Sequence, residues 1–398
     1  MRYASITDRL ASLGSEKWEI HLRGRSFAAH GEPVIELTIG EPDIATDEAL
    51  LDACVGAMRA GRTRYSNGRG EAGLLDAIAR KYARRAGREV APENVLCFPG
   101  TQTALFAVMM GLVEAGDKVL VPDPYYATYE GVVRAPGAAL VPVPLRPEKA
   151  FHLQADDLEA AIVPGCRAFL LNSPHNPSGA VLSRAEIAAI GEVCRRHDLW
   201  IVSDEVYEEL TFGAAFASPF DLPELADRTV VVSSISKSHA APGFRSGWAV
   251  GPAEFCRRLL PFCETMLFGN QPFIADMTAY ALTHDLPAAA TMRRQYSARA
   301  DAVAERLDGV AGLRVIRPEA GMFLLVDVSG TGLAGQDFAR RLLEERLVSV
   351  MPGDSFGAVG RNLLRLSLTV RDDRLAEACG RIAAFAADLA RDPERLAS

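Results

Sequence analysis

The sequence predicts a doubly wound α/β fold joined to a second, smaller α+β domain, and three observations support that expectation. Short β-rich apolar runs alternate with helical patterns between residues 94 and 250, as βαβ units feeding a largely parallel sheet do. The pattern changes past residue 287, where a long charged helix precedes a mixture of strands and helices. The chain has 398 residues, 49% hydrophobic and 24% charged, enough for two domains that each bury a core.

Along the chain, strands are expected at 94–98, 118–121, 139–143, 167–171, 200–203, 229–233 and 247–250, seven in all and suited to one large sheet. Helices at 101–114, 156–163 and 184–197 lie between them, with apolar residues recurring at three and four. The longest apolar run, 104–113, falls short of the roughly 18 residues a membrane span needs and reads as a core helix. After the charged helix at 287–307 the order reads strand, strand, helix, strand, helix. Strands are expected at 321–328, 348–350 and 363–368, and the last helix from near Asp373. A strand at 34–39 completes this domain, so the expected division is 46–286 for the large domain and 1–45 with 287–398 for the small one.

Forty-three Lys and Arg against 51 Asp and Glu give a net charge of −8, which leaves no electrostatic footprint for nucleic acid or an anionic membrane. Asp8 and Arg9 stand where a signal peptide would be apolar, so a cytoplasmic protein is expected. The seven cysteines are odd in number and scattered, without a CxxC pair or a histidine at ligand spacing. They read as reduced, mostly buried thiols, and no metal site is expected.

Gly68, Gly70 and Gly73 spell the dinucleotide fingerprint GxGxxG before a helix at 74–85. The residues in front, RTRYSN, are not a buried strand, so the motif reads as a turn that starts a helix. The strongest signal is SSISKSHAAPGFRSGW, where Ser234, Ser236, Lys237 and Arg245 follow the buried strand TVVVS. A lysine at a strand end, flanked by small hydroxyls and followed eight positions on by an arginine, suits a Schiff-base lysine meeting a phosphate-bearing aldehyde cofactor. Other strands end in matching groups. Asp204 ends WIVSDEVY, where a carboxylate can hold a pyridinium nitrogen protonated, and Tyr207 follows within reach of a ring hydroxyl. Asn172 and Asn176 sit in LNSPHNPSGA, a proline-punctuated loop of the kind that fixes side chains. Gly100, Thr101 and Gln102 open a helix after a strand, where free N–H groups favour a phosphate, although a plain helix cap is the alternative.

Together NSPHNPSG, SDEVY and SISKSHAAPGFRSGW resemble the pyridoxal-phosphate aminotransferases of fold type I, the aspartate-aminotransferase-like superfamily, from IGEPD at 39–43 to LLRLSLTV at 363–370. The resemblance implies pyridoxal 5′-phosphate bound covalently by Lys237, which then shuttles a proton. It implies Asp204 on the pyridine nitrogen, Asn176 and Tyr207 on the phenolic oxygen, and Tyr126 stacked on the ring. Gly100, Thr101, Gln102, Ser234, Ser236 and Arg245 would hold the phosphate. Arg365, with Gly40 and Asn176, would bind the substrate carboxylate. Tyr65 would reach a phosphate across an interface, which implies a homodimer with shared sites. Ser246 and Pro242 depart from the family pattern.

The segment 1–25, with SISKSHA and GMFLLVDVS, resembles the arginine–pyruvate transaminases more than the aspartate-specific members. That implies a basic L-amino acid such as arginine as donor and pyruvate as acceptor, with Trp18 lining the substrate side chain and Glu16 or Glu19 meeting a guanidinium. Alternatives are an aspartate or aromatic type using 2-oxoglutarate, a β-lyase on the same cofactor, and a regulatory protein that kept the fold.

Overall fold

A computed structural model describes residues 1–11, 13 and 16–391, with the backbone alone for Glu16. Its strands are β1 (Ile35–Leu37), β2 (Val95–Phe98), β3 (Lys118–Asp123), β4 (Ala139–Pro144), β5 (Cys166–Asn172), β6 (Trp200–Asp204), β7 (Thr229–Ser234), β8 (Gly247–Val250), β9 (Arg314–Ile316), β10 (Phe323–Asp327), β11 (Val348–Pro352) and β12 (Leu363–Ser367).

β2 to β8 form one seven-stranded sheet in the order β2-β8-β7-β6-β5-β3-β4. β8 runs antiparallel to β2 and β7, and every other pairing is parallel. Central strands such as β7, TVVVSS, are buried along their whole length because helices cover both faces. β4, with Pro142 and Pro144, is an edge strand, as residues lacking an N–H donor require. The other edge, β2, is covered by the loop that carries the GxGxxG glycines, through a bond from Cys97 N to Arg69 O. A Cβ on Gly70 would sit 2.6 Å from Cys97 Sγ, so this glycine serves close packing. No strand precedes it, and the segment is the turn before the helix Ala72–Ala86.

The remaining strands form a five-stranded sheet, β1-β11-β12-β10-β9, in which β1 and β11 are parallel. Its core of Leu324, Val326, Leu366, Phe338 and Phe385 is covered by the helices Ala288–Leu307, Gly335–Arg346 and Asp372–Arg391. The expected order is corrected here to strand, strand, helix, strand, strand, helix, with two strands, β11 and β12, after the first helix where the order had one. The strand that the expected ranges lacked is β9, three partly exposed residues at an edge, too short to show a period of two. Six of the seven cysteines are buried and all are free. Among the described residues no helix is long and apolar enough to cross a membrane.

Candidate active site

Parallel strands deliver their carboxyl ends to one edge of the sheet, and the functional side chains gather there. Thr101 and Gln102 follow β2, Tyr126 and Tyr129 follow β3, and Asn172 ends β5 with Asn176 in the loop beyond. Asp204 ends β6 with Tyr207 three residues on; Ser234 ends β7, followed by Ser236 and Lys237. Because β8 is reversed, Arg245, two residues before its start, reaches the same edge. The smaller sheet closes the space with Gly40 beyond β1, Phe323 of β10 and Arg365 of β12, and Trp18 comes from the N-terminal segment. Together they line a cavity of about 450 Å³.

The Lys237 Nζ donates to Gly40 O at 2.6 Å. Burial pushes its amine down to about 8; Glu41 opposes this, while Arg365 and Arg245 add to it, so about a tenth of it is neutral at pH 7. Burial also pushes Asp204 up to about 6, against the pull of the Tyr129 phenol, which donates to Oδ2 at 2.8 Å, and of Val206 N–H, which donates to Oδ1 at 3.2 Å. Asn172 locks the local backbone by donating from Nδ2 to Asp204 O and accepting from Asn176 N at Oδ1. Burial pushes the Tyr207 phenol well up, and the nearby Asn176 side chain opposes this. His175 is buried and pushed down to about 4 by desolvation. Neutral, it ties the Asn176 loop to Pro124 O at 2.9 Å and to Ser178 at 2.7 Å.

Arg365 is 2% exposed. It donates to Thr38 O at 2.6 Å and to Asn176 Oδ1 at 3.1 Å, while its Nε is buried with no partner. The guanidinium lies 3.8 Å from the Phe323 ring centre and 4.4 Å from that of Phe356, and burial pushes it down to about 10. A buried cation with a spare donor and only neutral acceptors is a receptor for a carboxylate. At the opposite end, the Thr101 hydroxyl is buried without a partner at the start of the helix Thr101–Leu112. Gly100 has φ +90, and a Cβ there would fall 2.1 Å from Arg245 Nη2, so only glycine leaves the guanidinium its place over the helix N-terminus. Unpaired N–H groups, a free hydroxyl and a guanidinium fit a phosphate.

Two expected residues lie elsewhere. Tyr65 is 92% exposed, against Phe268 with ring centres 5.8 Å apart, and lines no part of the cavity in this chain. Glu19 is exposed at the start of the helix Glu19–Ala29 and does not line the cavity; the Glu16 side chain lies outside the described residues. The family departures have local partners, since Ser246 is buried and accepts from the Thr278 hydroxyl at 2.7 Å, and Pro242 opens a 3-10 turn. Sequence reasoning missed Tyr129, Phe323, Phe356 and Glu41. Of these Glu41, next to Gly40 in IGEPD, and Phe323, in GMFLLVDVS, lay in motifs already singled out.

Residues 32–382 match the family model described as aminotransferase class I and II. The chain is 45% identical over 389 residues to an arginine–pyruvate transaminase of Pseudomonas aeruginosa, covering 98% of this chain and 99% of that protein. It is 33% identical to an aspartate aminotransferase of Geobacillus stearothermophilus, covering 96% and 98%. Among solved structures, the aspartate aminotransferase from Rhizobium meliloti superposes with a TM-score of 0.92 at 31% identity, covering 97% of this chain and 99% of that one.

Proposed function

The chain belongs to the class I and II aminotransferases, and we propose that it moves the α-amino group of a basic L-amino acid such as arginine to pyruvate, in two half-reactions on one site. It is an enzyme that uses pyridoxal 5′-phosphate. The observation that carries the substrate assignment is the charge inventory of the cavity. Its described cations are Lys237, Arg245 and Arg365, and each has a task on cofactor or substrate α-carboxylate. A dicarboxylic donor, or 2-oxoglutarate, brings a second carboxylate that needs a further cation. None remains among the described residues of this chain, and the cavity lining includes Trp18 and Glu41, which makes no ion pair among the described residues. A guanidinium suits a carboxylate and an indole face, and pyruvate has no second charge to satisfy. The 45% identity to an arginine–pyruvate transaminase supports the same choice.

In this reading Thr101, Gln102, Ser234, Ser236 and Arg245 hold the phosphate of the cofactor. Tyr126 covers the ring, Asn176 and Tyr207 bind its phenolic oxygen, and Asp204 keeps its nitrogen protonated. When bound, the cofactor supplies an aldehyde for exchange of the amino group and a ring that withdraws electrons. Arg365 fixes the substrate carboxylate in a fork, so that the α-hydrogen faces Lys237. The neutral Lys237 amine would take the α-proton, hold it at Nζ beside Gly40 O and deliver it to the aldehyde carbon of the cofactor within the same half-reaction, the second half-reaction running the same transfer in the opposite direction.

The reading includes a cytoplasmic homodimer, supported by the exposed Tyr65–Phe268 pair, which a partner subunit would cover. It also includes a large domain at 46–286 and a small domain at 1–45 with 287–398, of which 392–398 lie outside the described residues. Each of these has its own sheet. Single-turnover absorbance changes with a panel of amino and oxo acids test the substrate assignment. Arginine and pyruvate should react fastest; faster reaction of aspartate and 2-oxoglutarate would replace it with the aspartate type, which the aspartate aminotransferase relatives favour.

A further inference from the structure

We propose that Tyr129 is a positioning residue for the carboxylate of Asp204: its phenol keeps that carboxylate ionised and aimed into the cavity, while its ring holds Tyr126 at the same wall. The inference rests on the reading of Asp204 as the partner of the cofactor nitrogen. Tyr129 is 2% exposed, and its hydroxyl donates to Asp204 Oδ2 at 2.8 Å. The other oxygen, Oδ1, accepts Val206 N–H at 3.2 Å. With one donor on each oxygen the carboxylate is held against rotation, and Asp204 lines the cavity with acceptor capacity to spare. The Tyr129 ring meets Tyr126 edge-on, with centres 5.6 Å apart and planes at 87°, and Tyr129 N bonds Tyr126 O at 2.9 Å. One side chain thus fixes both the carboxylate and the aromatic face proposed to cover the ring.

Two opposing effects act on Asp204. Burial favours its neutral form, and hydrogen bonds to the anion favour the charged form. The Tyr129 phenol is itself pushed far up by burial and by Asp204, so it remains a donor at every working pH. The other titratable or charged groups around the cavity are Tyr126 after β3, Tyr207 on the turn after β6, Lys237 after β7, Arg245 before β8, Arg365 of β12 and Glu41 beyond β1. None of these is a hydrogen-bond donor to the Asp204 carboxylate, whose donors are Tyr129 and Val206 among the described residues. A neutral Asp204 would have no charge to hold a protonated ring nitrogen.

The test uses Tyr129→Phe and Asp204→Asn, singly and together, in the cofactor-free protein. Asp204 titrates at about 6 when folded against an ordinary 3.8, so its contribution to stability is present below about pH 4 and is lost as pH rises through 6. Tyr129→Phe removes a donor to the anion, so the end of that loss should move up by about one pH unit. Asp204→Asn should abolish the titration, and adding Tyr129→Phe to it should change nothing further with pH. In parallel, the affinity of the cofactor-free protein for pyridoxal phosphate should fall about tenfold in Tyr129→Phe and not further when that change is added to Asp204→Asn. An unmoved titration in Tyr129→Phe, or an equal loss of affinity in both backgrounds, overturns the inference. If Asp204→Asn itself leaves cofactor affinity unchanged, the reading of the site fails instead.

Discussion

Replacing Arg365 with Met separates what this residue does for substrate from what it does for the fold. The guanidinium is fully buried, sandwiched by Phe323 and Phe356, with Nε unpartnered. Loss of a desolvated fork to a carboxylate costs about 2–5 kcal/mol, or roughly 30-fold to several-thousand-fold in kcat/KM. Stability should respond far less. Burial lowers the guanidinium from its ordinary value to about 10, which corresponds to about 3 kcal/mol of unfavourable desolvation that methionine removes. Against this stand the bonds to Thr38 O and Asn176 Oδ1, each about 1.5–3 kcal/mol, and the stacking on two rings, to which methionine also offers apolar contact. The net change is about 1–3 kcal/mol, a Tm shift of several degrees at most. Half-reaction kinetics with unlike amino and oxo acids, beside thermal melts of the cofactor-free protein, measure both quantities. A loss below tenfold, or one confined to a single substrate, would refute the carboxylate role, because every substrate shares that group.

Lys237→Ala should reduce turnover to background while the protein still folds. Its folded amine titrates at about 8 against 10.5, so the charged form is a cost that is present below pH 8 and disappears as pH rises to about 10.5. Cofactor-free Lys237→Ala should therefore lose stability relative to wild type across that range, and a flat difference in denaturant midpoints would contradict the depressed amine. Gly40→Ala would place a Cβ 2.1 Å from Phe323 Cζ. The ring must then leave the Arg365 face, and the expected cost is about 1–3 kcal/mol of stability together with a raised KM for all substrates. An unchanged KM would mean that the ring is not what holds the guanidinium. Tyr65→Phe should weaken cofactor binding only where the protein sediments as a dimer, and an equal effect in a dissociated monomer would exclude a role across an interface.

The large sheet and the strand-end residues were legible because local and tertiary signals coincide there. A hydrophobic strand followed at once by Asp204, Asn172 or Lys237 needs only the rule that parallel sheets collect function at their carboxyl edge. Side chains that act across long sequence separation left no such mark. Tyr129 lies 75 residues from the carboxylate it touches, and in YATYEG it reads as one more helix-start aromatic. Phe323 and Phe356 are ordinary core residues by pattern, and only the pairing of β12 beside β10, with Phe356 just past β11, sets them on either side of Arg365. Glu19 is implied as a candidate only by the resemblance of its segment, and its helix turns it to solvent, while Glu41 lines the cavity.

The eight-residue spacing from Lys237 to Arg245 has a topological cause. In a wholly parallel sheet a residue just before a strand lies at the amino edge, remote from every strand end. Reversing β8 pairs Gly247 with Ser234 and with Phe98, which brings the residues before it beside the ends of β7 and β2. The chain must therefore leave β7, present the lysine and turn back within 12 residues. It does so through the short helix Ile235–Ser238, the 3-10 turn Pro242–Phe244 and left-handed residues at Ala240, φ 49, and Arg245, φ 52. A left-handed arginine costs roughly 1–2 kcal/mol that glycine would avoid. The conformation persists because it points the guanidinium over Gly100, where a glycine at 245 would leave the helix N-terminus without its cation.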